Sequence, residues 1–298
     1  MIRIGVDFGG TKIEAAALDE QGFVLVRLRE PNPGAYEAAL ATVARLVAEA
    51  ERRTGPVARV GVGIPGSPSP RTGLIRNANS IWLNGRPLQS DLERALDRPV
   101  RLANDANCLA LSEATDGAGA GAGTVFAVVV GTGCGGGVVV NGRLVEGANG
   151  IAGEWGHTPL PWPQPGELDG VACWCGRTGC MEMFVSGTGI ERDYRRGGPV
   201  VSGPEIIPGM RLGEPPAIAA FDRYVSRLGR GLAVICDLLD PEVIVLGGGV
   251  SNVSELYERL PPVIARHVFS DGWEGQIAPA LHGDSSGVRG AAWLWPDS

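Results

Sequence analysis

The sequence predicts an α/β protein of two lobes, and three observations carry that prediction. Short apolar runs that end in glycine-rich loops alternate with amphipathic helical segments, the pattern of open α/β sheets. A unit of strand, glycine loop and return strand occurs once in each half, around Gly9-Gly10 and around Gly131 to Gly137. The length of 298 residues exceeds one typical domain and leaves ample chain for two cores. The expected division is residues 1–121 for the first lobe and 122–284 for the second, with a C-terminal helix over 285–298 packing back on the first.

Composition narrows the partners. Hydrophobic residues make up 44% and charged residues 20%, ordinary values for a soluble globular chain. The net charge is −7 and no basic run is longer than Arg195-Arg196, which argues against nucleic acid or an anionic membrane surface and for small molecules. No stretch reaches the roughly 18 apolar residues of a spanning helix, and the start, Met1-Ile2-Arg3-Ile4, lacks a signal-peptide core. A cytoplasmic location is expected, where thiols stay reduced. The 46 glycines gather in discrete loops, where backbone must come close to something.

In chain order, residues 2–7 read as a buried strand ending in Asp7, followed by the turn Gly9-Gly10-Thr11-Lys12 and a return strand over 13–18. Such a turn exposes amides, the Thr11 hydroxyl and the Lys12 ammonium, all donors suited to phosphate. It is not a P-loop, because Thr-Lys stands where that motif has Lys-Ser or Lys-Thr and no helix follows. An ordinary hairpin turn explains this stretch equally well. Residues 36–53 carry Leu40, Val43, Leu46, Val47 and Ala50 at helical spacing. A strand over 57–64 runs into Gly63-Ile64-Pro65-Gly66, and Asn77-Ala78-Asn79-Ser80 follow in an amide-rich loop, where open α/β sheets place ligands. A short helix over 91–96 and a strand over 100–103 come next.

Asn104-Asp105-Ala106-Asn107 stands between that strand and a helix over 108–113. A carboxylate there is the right type for a general base, and a helix N-terminus favours an ionised side chain. Position alone favours helix capping for Asp105, the commoner use of Asp and Asn. Residues 116–123 form a Gly/Ala linker, and 125–130 a β-branched strand. Gly131-Thr132-Gly133-Cys134-Gly135-Gly136-Gly137 formally matches a dinucleotide fingerprint, but three valines and an Asn141-Gly142 turn follow where that fingerprint opens a helix. Two hairpins of phosphate-binding type suggest two lobes with a nucleotide between them. Residues 194–216 are rich in Pro and Gly with little periodicity. Then come a long amphipathic helix over 217–239 and a buried strand over 243–246. It ends in Gly247-Gly248-Gly249, where backbone can lie against an adenine or ribose. Residues 256–267 read as helical despite Pro261 and Pro262, and 288–295 as a short helix.

The densest chemistry lies between Gly153 and Glu182. His157, Cys173, Cys175 and Cys180 form the ligand set of a closed tetrahedral zinc site, since Cys173 and Cys175 point to opposite sides of an extended chain and a disulfide between them would be strained. Such a zinc is structural, with no open position for water. Glu154 and Glu182 flank the ligands, so the metal would fix two carboxylates and the second imidazole nitrogen relative to one another, a rigid arrangement for binding hydroxyls. Prolines 159, 161, 163 and 165 crowd the spacer, whose conformation the sequence does not give.

Six motifs in this order resemble the ROK family of repressors, open reading frames and kinases, over essentially the whole chain. They are the segments 7–12, 104–107, 131–137, 153–157, 173–182 and the Gly247 triplet. The segments 77–85 and 282–295 resemble the bacterial fructokinases, also called manno(fructo)kinases. The resemblance implies an actin-like ATPase (ribonuclease H-like) fold with the active site in the cleft, and phosphorylation of the 6-hydroxyl of fructose, with mannose as a second sugar. It implies Asp105 as base, with Asn79, Asn104, Glu154, His157 and Glu182 on the sugar. His157 would bond Zn²⁺ through one nitrogen and sugar through the other. Asp7, Gly9, Gly10, Thr11, Lys12 and Gly131 to Gly137 would surround the phosphates of ATP and Mg²⁺, and Gly247, Gly248 and Gly249 the adenosine. Dimers are common in the family. It also implies a helix–turn–helix over 204–216, which Pro208, Gly209 and Gly213 interrupt. Glucokinase or N-acetylglucosamine kinase is the alternative within the family, and a non-catalytic sugar-sensing regulator the alternative outside the enzymes. The family's repressors carry a DNA-binding segment ahead of the first hairpin, whereas here the first strand is expected at Ile2.

Overall fold

A computed structural model describes residues 2–167, 170–195 and 203–295. The elements run β1 (Arg3–Phe8), β2 (Lys12–Leu18), β3 (Val24–Pro31), α1 (Tyr36–Thr54), β4 (Val60–Ile64), β5 (Ser67–Pro68), β6 (Ile75–Arg76), α2 (Leu88–Leu96), β7 (Val100–Asn104) and α3 (Asp105–Asp116). They continue with β8 (Thr124–Val130), β9 (Cys134–Val140), β10 (Arg143–Leu144), α4 (Glu182–Val185), α5 (Gly187–Tyr194), α6 (Gly203–Arg211), α7 (Pro215–Leu239), β11 (Val243–Gly247), α8 (Glu255–Ala265), β12 (Gln276–Pro279) and α9 (Ser286–Ala292). Contacts divide the chain into two units. One comprises residues 1–121, 137–152 and 281–298, the other 122–136 and 153–280.

The first unit is built on a sheet in the order β3-β2-β1-β4-β7. β1 to β3 pair antiparallel, while β4 and β7 continue parallel to β1. One face buries Val6, Phe8, Ile13 and Val62 against Leu40, Val43 and Val47 of α1 and Leu88 and Leu92 of α2. α9 packs directly on β1 and β4. A Cβ on Gly5 or Gly61 would overlap the carbonyl oxygens of Val288 and Ala291, so glycine there is what lets helix backbone touch sheet backbone. Buried Glu113 of α3 fixes the approach to α9: its carboxylate accepts from the amides of Leu281 (2.9 Å) and His282 (3.2 Å) and from Ser286 Oγ (2.9 Å). Asp116 adds His282 Nε2 at 2.8 Å and the Arg289 guanidinium. Residues 137–152, which the sequence placed with the second lobe, group with this unit because Gly137 lies against the Ala106 backbone of α3.

In the second unit β8, β11 and β12 pair in parallel, with Val245 opposite both Ala127 and Ala278. They belong to a sheet of order β10-β9-β8-β11-β12. α7 buries Phe221, Tyr224, Leu228 and Leu232. It also buries two arginines, Arg227 and Arg230, at 3% and 1% exposure, numbers low enough to demand partners. Glu167 receives Arg227 Nε (2.8 Å) and Arg230 Nη2 (2.9 Å), and Asp193 receives Arg227 Nη1 (2.9 Å). Arg230 also donates to Pro161 O (3.0 Å) and Trp162 O (2.6 Å), which gives the proline spacer its conformation. Burial alone would raise the Glu167 carboxyl, but the Gln164 amide and the two guanidinium groups hold it below the usual value.

Three features depart from the sequence expectation. β3 and β12 went unpredicted; charged Arg27, Arg29 and Glu30 break the apolar run of the first, which is an edge strand. The segment 204–216 is helix, turn, helix after all. α6 contains Pro208, and Gly213, at φ +85°, makes the turn into α7 that a residue with Cβ would resist. Ser186-Gly187-Thr188-Gly189, uninformative as sequence, opens α5, with Ser186 Oγ accepting from the Gly189 amide at 3.1 Å.

Glu167→Ala should leave two buried guanidinium groups short of their counter-charge and cost about 3–5 kcal/mol. Urea denaturation is the measurement; a midpoint like that of the parent would show that the network carries no stability.

Candidate active site and metal centre

In the first unit the candidate groups gather where adjacent parallel strands end. Asp7 of β1 is opposite Gly63 of β4, and Ile64 of β4 is opposite Asn104 of β7, so Asp7 and Asp105 come to one edge of the sheet. Their proximity is felt electrostatically. Burial, then the charges of Asp105 and Glu14, push the Asp7 carboxyl from 3.8 up to about 6, with Lys12 and Arg29 partly offsetting them. Asn104 is the N-cap of α3: its Oδ1 accepts from the Ala106 amide at 2.9 Å and its Nδ2 donates to Gly66 O at 3.2 Å, while Asp105 Oδ1 accepts from the same amide at 2.8 Å. Asp105 is the exposed first residue of the helix.

The hairpin Gly9-Gly10-Thr11 is pinned by a residue the sequence did not single out. Asn32 donates from Nδ2 to Gly9 O at 2.7 Å, and its amide donates to Thr11 O at 2.9 Å. Lys12 lies 3.9 Å from Glu14, a buried carboxylate that also takes Arg27 Nε at 2.5 Å and Arg29 Nε at 2.7 Å. Asn79 is exposed in a loop clamped by Asn84, whose side chain accepts from the Ala78 amide (2.9 Å) and donates to Ala78 O (3.0 Å). Asn32 and Asn84 make side-chain to backbone bonds across loops; Asn in a turn is the only signal either sends as sequence.

In the second unit the hairpin Gly131-Thr132-Gly133 between β8 and β9 is closed by Gly131 N donating to Gly133 O at 3.0 Å. The start of α5 braces it: the Gly187 amide donates to Gly131 O at 2.7 Å and Thr188 Oγ1 to Thr132 O at 3.1 Å. Gly248, at φ +85°, lies against the end of β8, where a Cβ would sit 2.5 Å from Val130 O. Gly249 has open space around it.

His157, Cys173, Cys175 and Cys180 converge, each offering one ligand atom within 4.8 Å of all the others. Cys175 Sγ and Cys180 Sγ are 3.6 Å apart, and Cys173 Sγ and His157 Nδ1 are 3.6 Å apart. Tetrahedral ligands at zinc–sulfur distances of about 2.3 Å are spaced by about 3.8 Å, near the two separations of 3.6 Å, so the donor set suits such an ion. The cysteine turn is tight, with Cys173 N donating to Arg177 O (2.8 Å) and Gly176 at φ +85°. His157 ends a short 3-10 turn, Trp155–His157, anchored by Trp155 Nε1 donating to Gly135 O at 3.1 Å. Glu154 stands exposed at the start of that turn. Glu182 is half-buried and held from both sides. Oε1 accepts from Trp174 Nε1 at 2.7 Å, and Oε2 from the Cys134 amide at 3.0 Å.

A protein-family model, the ROK family, matches residues 3–298. The chain belongs to the ROK family. N-acetyl-D-glucosamine kinases of Yersinia pseudotuberculosis and of Pectobacterium atrosepticum are each 40% identical to it over 296 residues, covering 97% of either chain. Among solved structures, a ROK hexokinase from Thermus thermophilus matches with a TM-score of 0.87 at 37% identity, covering 98% of this chain and 97% of that one. A ROK family glucokinase from Streptomyces griseus in complex with glucose and AMPPNP matches with a TM-score of 0.80 at 32% identity, covering 99% of each. The ROK fold of these relatives is the two-unit α/β arrangement of actin-like ATPases, as the sequence motifs implied, and the likeness is to ATP-dependent sugar kinases.

The fructokinase and manno(fructo)kinase resemblance is corrected by the same comparisons, whose curated relatives at 40% identity are N-acetyl-D-glucosamine kinases. The two segments that carried it do largely structural work in this ROK chain. Asn84 clamps 77–80, and 281–289 are tied to Glu113 and Asp116. Among the described residues no helix is long and apolar enough to cross a membrane.

The raised Asp7 carboxyl has a sign that can be measured. Its folded value, about 6, exceeds the ordinary 3.8, so stability is full below pH about 4 and declines as pH rises through 6, by about 3 kcal/mol. Asp7→Asn should therefore stabilise the nucleotide-free protein by about 2–3 kcal/mol at pH 7.5 and by nothing at pH 4. Thermal unfolding across that range checks it; a gain independent of pH would point to packing instead.

Proposed function

We propose that this chain transfers the γ-phosphoryl group of ATP to the 6-hydroxyl of N-acetyl-D-glucosamine. The observation that carries the reading is the 40% identity to N-acetyl-D-glucosamine kinases across 97% of both chains. The chemistry is compatible with the side chains described above. Phosphoryl transfer asks little covalent work of a protein, so positioning and electrostatics supply most of the barrier reduction.

In this reading Asp105 takes the proton from the attacking hydroxyl, a role supported by its exposure at the start of α3. Asn79, Asn104, Glu154, His157 and Glu182 bind the other hydroxyls and the acetamido group. Asp7, Gly9, Gly10, Thr11 and Lys12, with Gly131 to Gly137, receive the phosphates, and Gly247 to Gly249 the adenosine. Mg²⁺ brought with ATP would neutralise phosphate charge. His157, Cys173, Cys175 and Cys180 would hold zinc, since three soft thiolates and an imidazole suit it. Ligation through one nitrogen would fix the His157 ring and leave the other nitrogen for a sugar hydroxyl.

Sugar-dependent ADP release by the purified protein with Mg-ATP tests the reading. The highest kcat/KM should fall on N-acetylglucosamine over glucose and mannose. Preference for glucose would keep the transfer and change the sugar, and no sugar-dependent ADP at all would remove the kinase reading. Asp105→Asn should lower kcat by about 100- to 10,000-fold with sugar affinity unchanged; near-normal turnover would take Asp105 out of the mechanism.

A further inference from the structure

Trp174 is 64% exposed, yet it is held at two points. Its indole Nε1 donates to Glu182 Oε1 at 2.7 Å, and its ring meets His157 edge-on, with centroids 4.9 Å apart at 87°. It sits between Cys173 and Cys175, so the ligands on either side fix its backbone and hence the point from which its side chain departs. The other oxygen of the same carboxylate accepts from Cys134 N, the first residue after the glycine hairpin, and lies 2.9 Å from where a Cβ on Gly133 would stand. One carboxylate thus joins the metal turn to the phosphate-type hairpin, and the indole is its link to the metal.

We infer that Trp174 is a positioning residue for Glu182: its N–H holds Oε1 so that the carboxylate meets the sugar in one orientation, with Oε2 kept on the hairpin. The kinetic consequence rests on the proposed sugar-kinase reading; the hydrogen bond itself does not. Glu182 is the first residue of the short helix α4, and without the indole one of its oxygens loses its protein partner. A carboxylate free to rotate toward water must be reordered each time sugar binds, a cost that falls on binding and not on the transfer step.

The test uses the full-length, zinc-loaded protein. Trp174→Phe keeps a ring against His157 and removes only the donor. Trp174→Arg restores N–H donors on a side chain of similar reach. Sugar KM should rise about tenfold in the Phe variant, with kcat within about twofold, ATP KM unchanged and metal content at the parent value. The Arg variant should recover most of the sugar KM. Parent-like sugar KM in the Phe variant overturns the inference, and so does loss of metal or an equal fall in kcat, which would mark Trp174 as merely structural. A second arm needs no activity. The emission spectrum of the parent minus that of Trp174→Phe isolates this indole, and in a Glu182→Ala background the same difference should move in wavelength without any sugar present. An unmoved spectrum overturns the hydrogen bond, whereas a moved spectrum in a chain that phosphorylates no sugar leaves the bond intact and removes the kinase reading instead.

Discussion

Two like charges held side by side shape the first unit. The parallel register of β1, β4 and β7 brings Asp7 and Asp105 to one edge, where burial, reinforced by repulsion from Asp105, raises the Asp7 carboxyl. Much else nearby reads as containment of that repulsion. Lys12 and Arg29 draw Asp7 down, and Glu14, which pushes it up, is itself neutralised by Arg27 and Arg29. Asn104 and Asp105 both accept from the Ala106 amide, which ties the two side chains to the start of α3. A cation-bearing ligand would relieve the strain, which is the electrostatic signature of a site built for charge that arrives from outside.

The second unit solves the opposite problem, how to keep polar groups ordered among glycines. Glycine-rich backbone is conformationally free until something fixes it, and here each loop has its own clamp. The Gly131 hairpin leans on α5 and on Glu182, and the cysteine turn closes on itself around its ligand atoms. The proline spacer surrenders two carbonyls to Arg230. Apart from the cysteine turn, each clamp is a side chain or helix start distant in sequence from the loop it holds.

That distance explains what could and could not be read in advance. Both hairpins, the metal ligands and most strands announce themselves locally, because a turn needs glycine where it turns and a tetrahedral ion needs its ligands closely spaced. Asn32 and Arg230 gave no such signal, since each acts through bonds to segments far away in sequence, while Asn84 and Ser186 bond loop backbone nearby with residue types common in any turn. The role of Asp105 was ambiguous for a related reason: adjacent Asn and Asp at a helix start can both accept from one amide, as Asn104 and Asp105 do from Ala106 N, so residue type does not separate capping from other uses. Sugar preference lies further still from local pattern. Much of the two segments that resembled one group of kinases is scaffolding, with Asn79 the residue there proposed to meet the sugar, and scaffolding does not set sugar preference.

The seating of α9 has a consequence for how the protein comes into being. The strands it covers, β1 and β4, are translated before the bulk of the second unit, while the helix that seals them is translated after it. Until then Gly5 and Gly61 present bare backbone flanked by Ala16 and Leu18, a surface whose own partner is still untranslated. The nascent chain must carry that open face through the synthesis of the entire second unit, so an early sheet waits on a helix that comes after it.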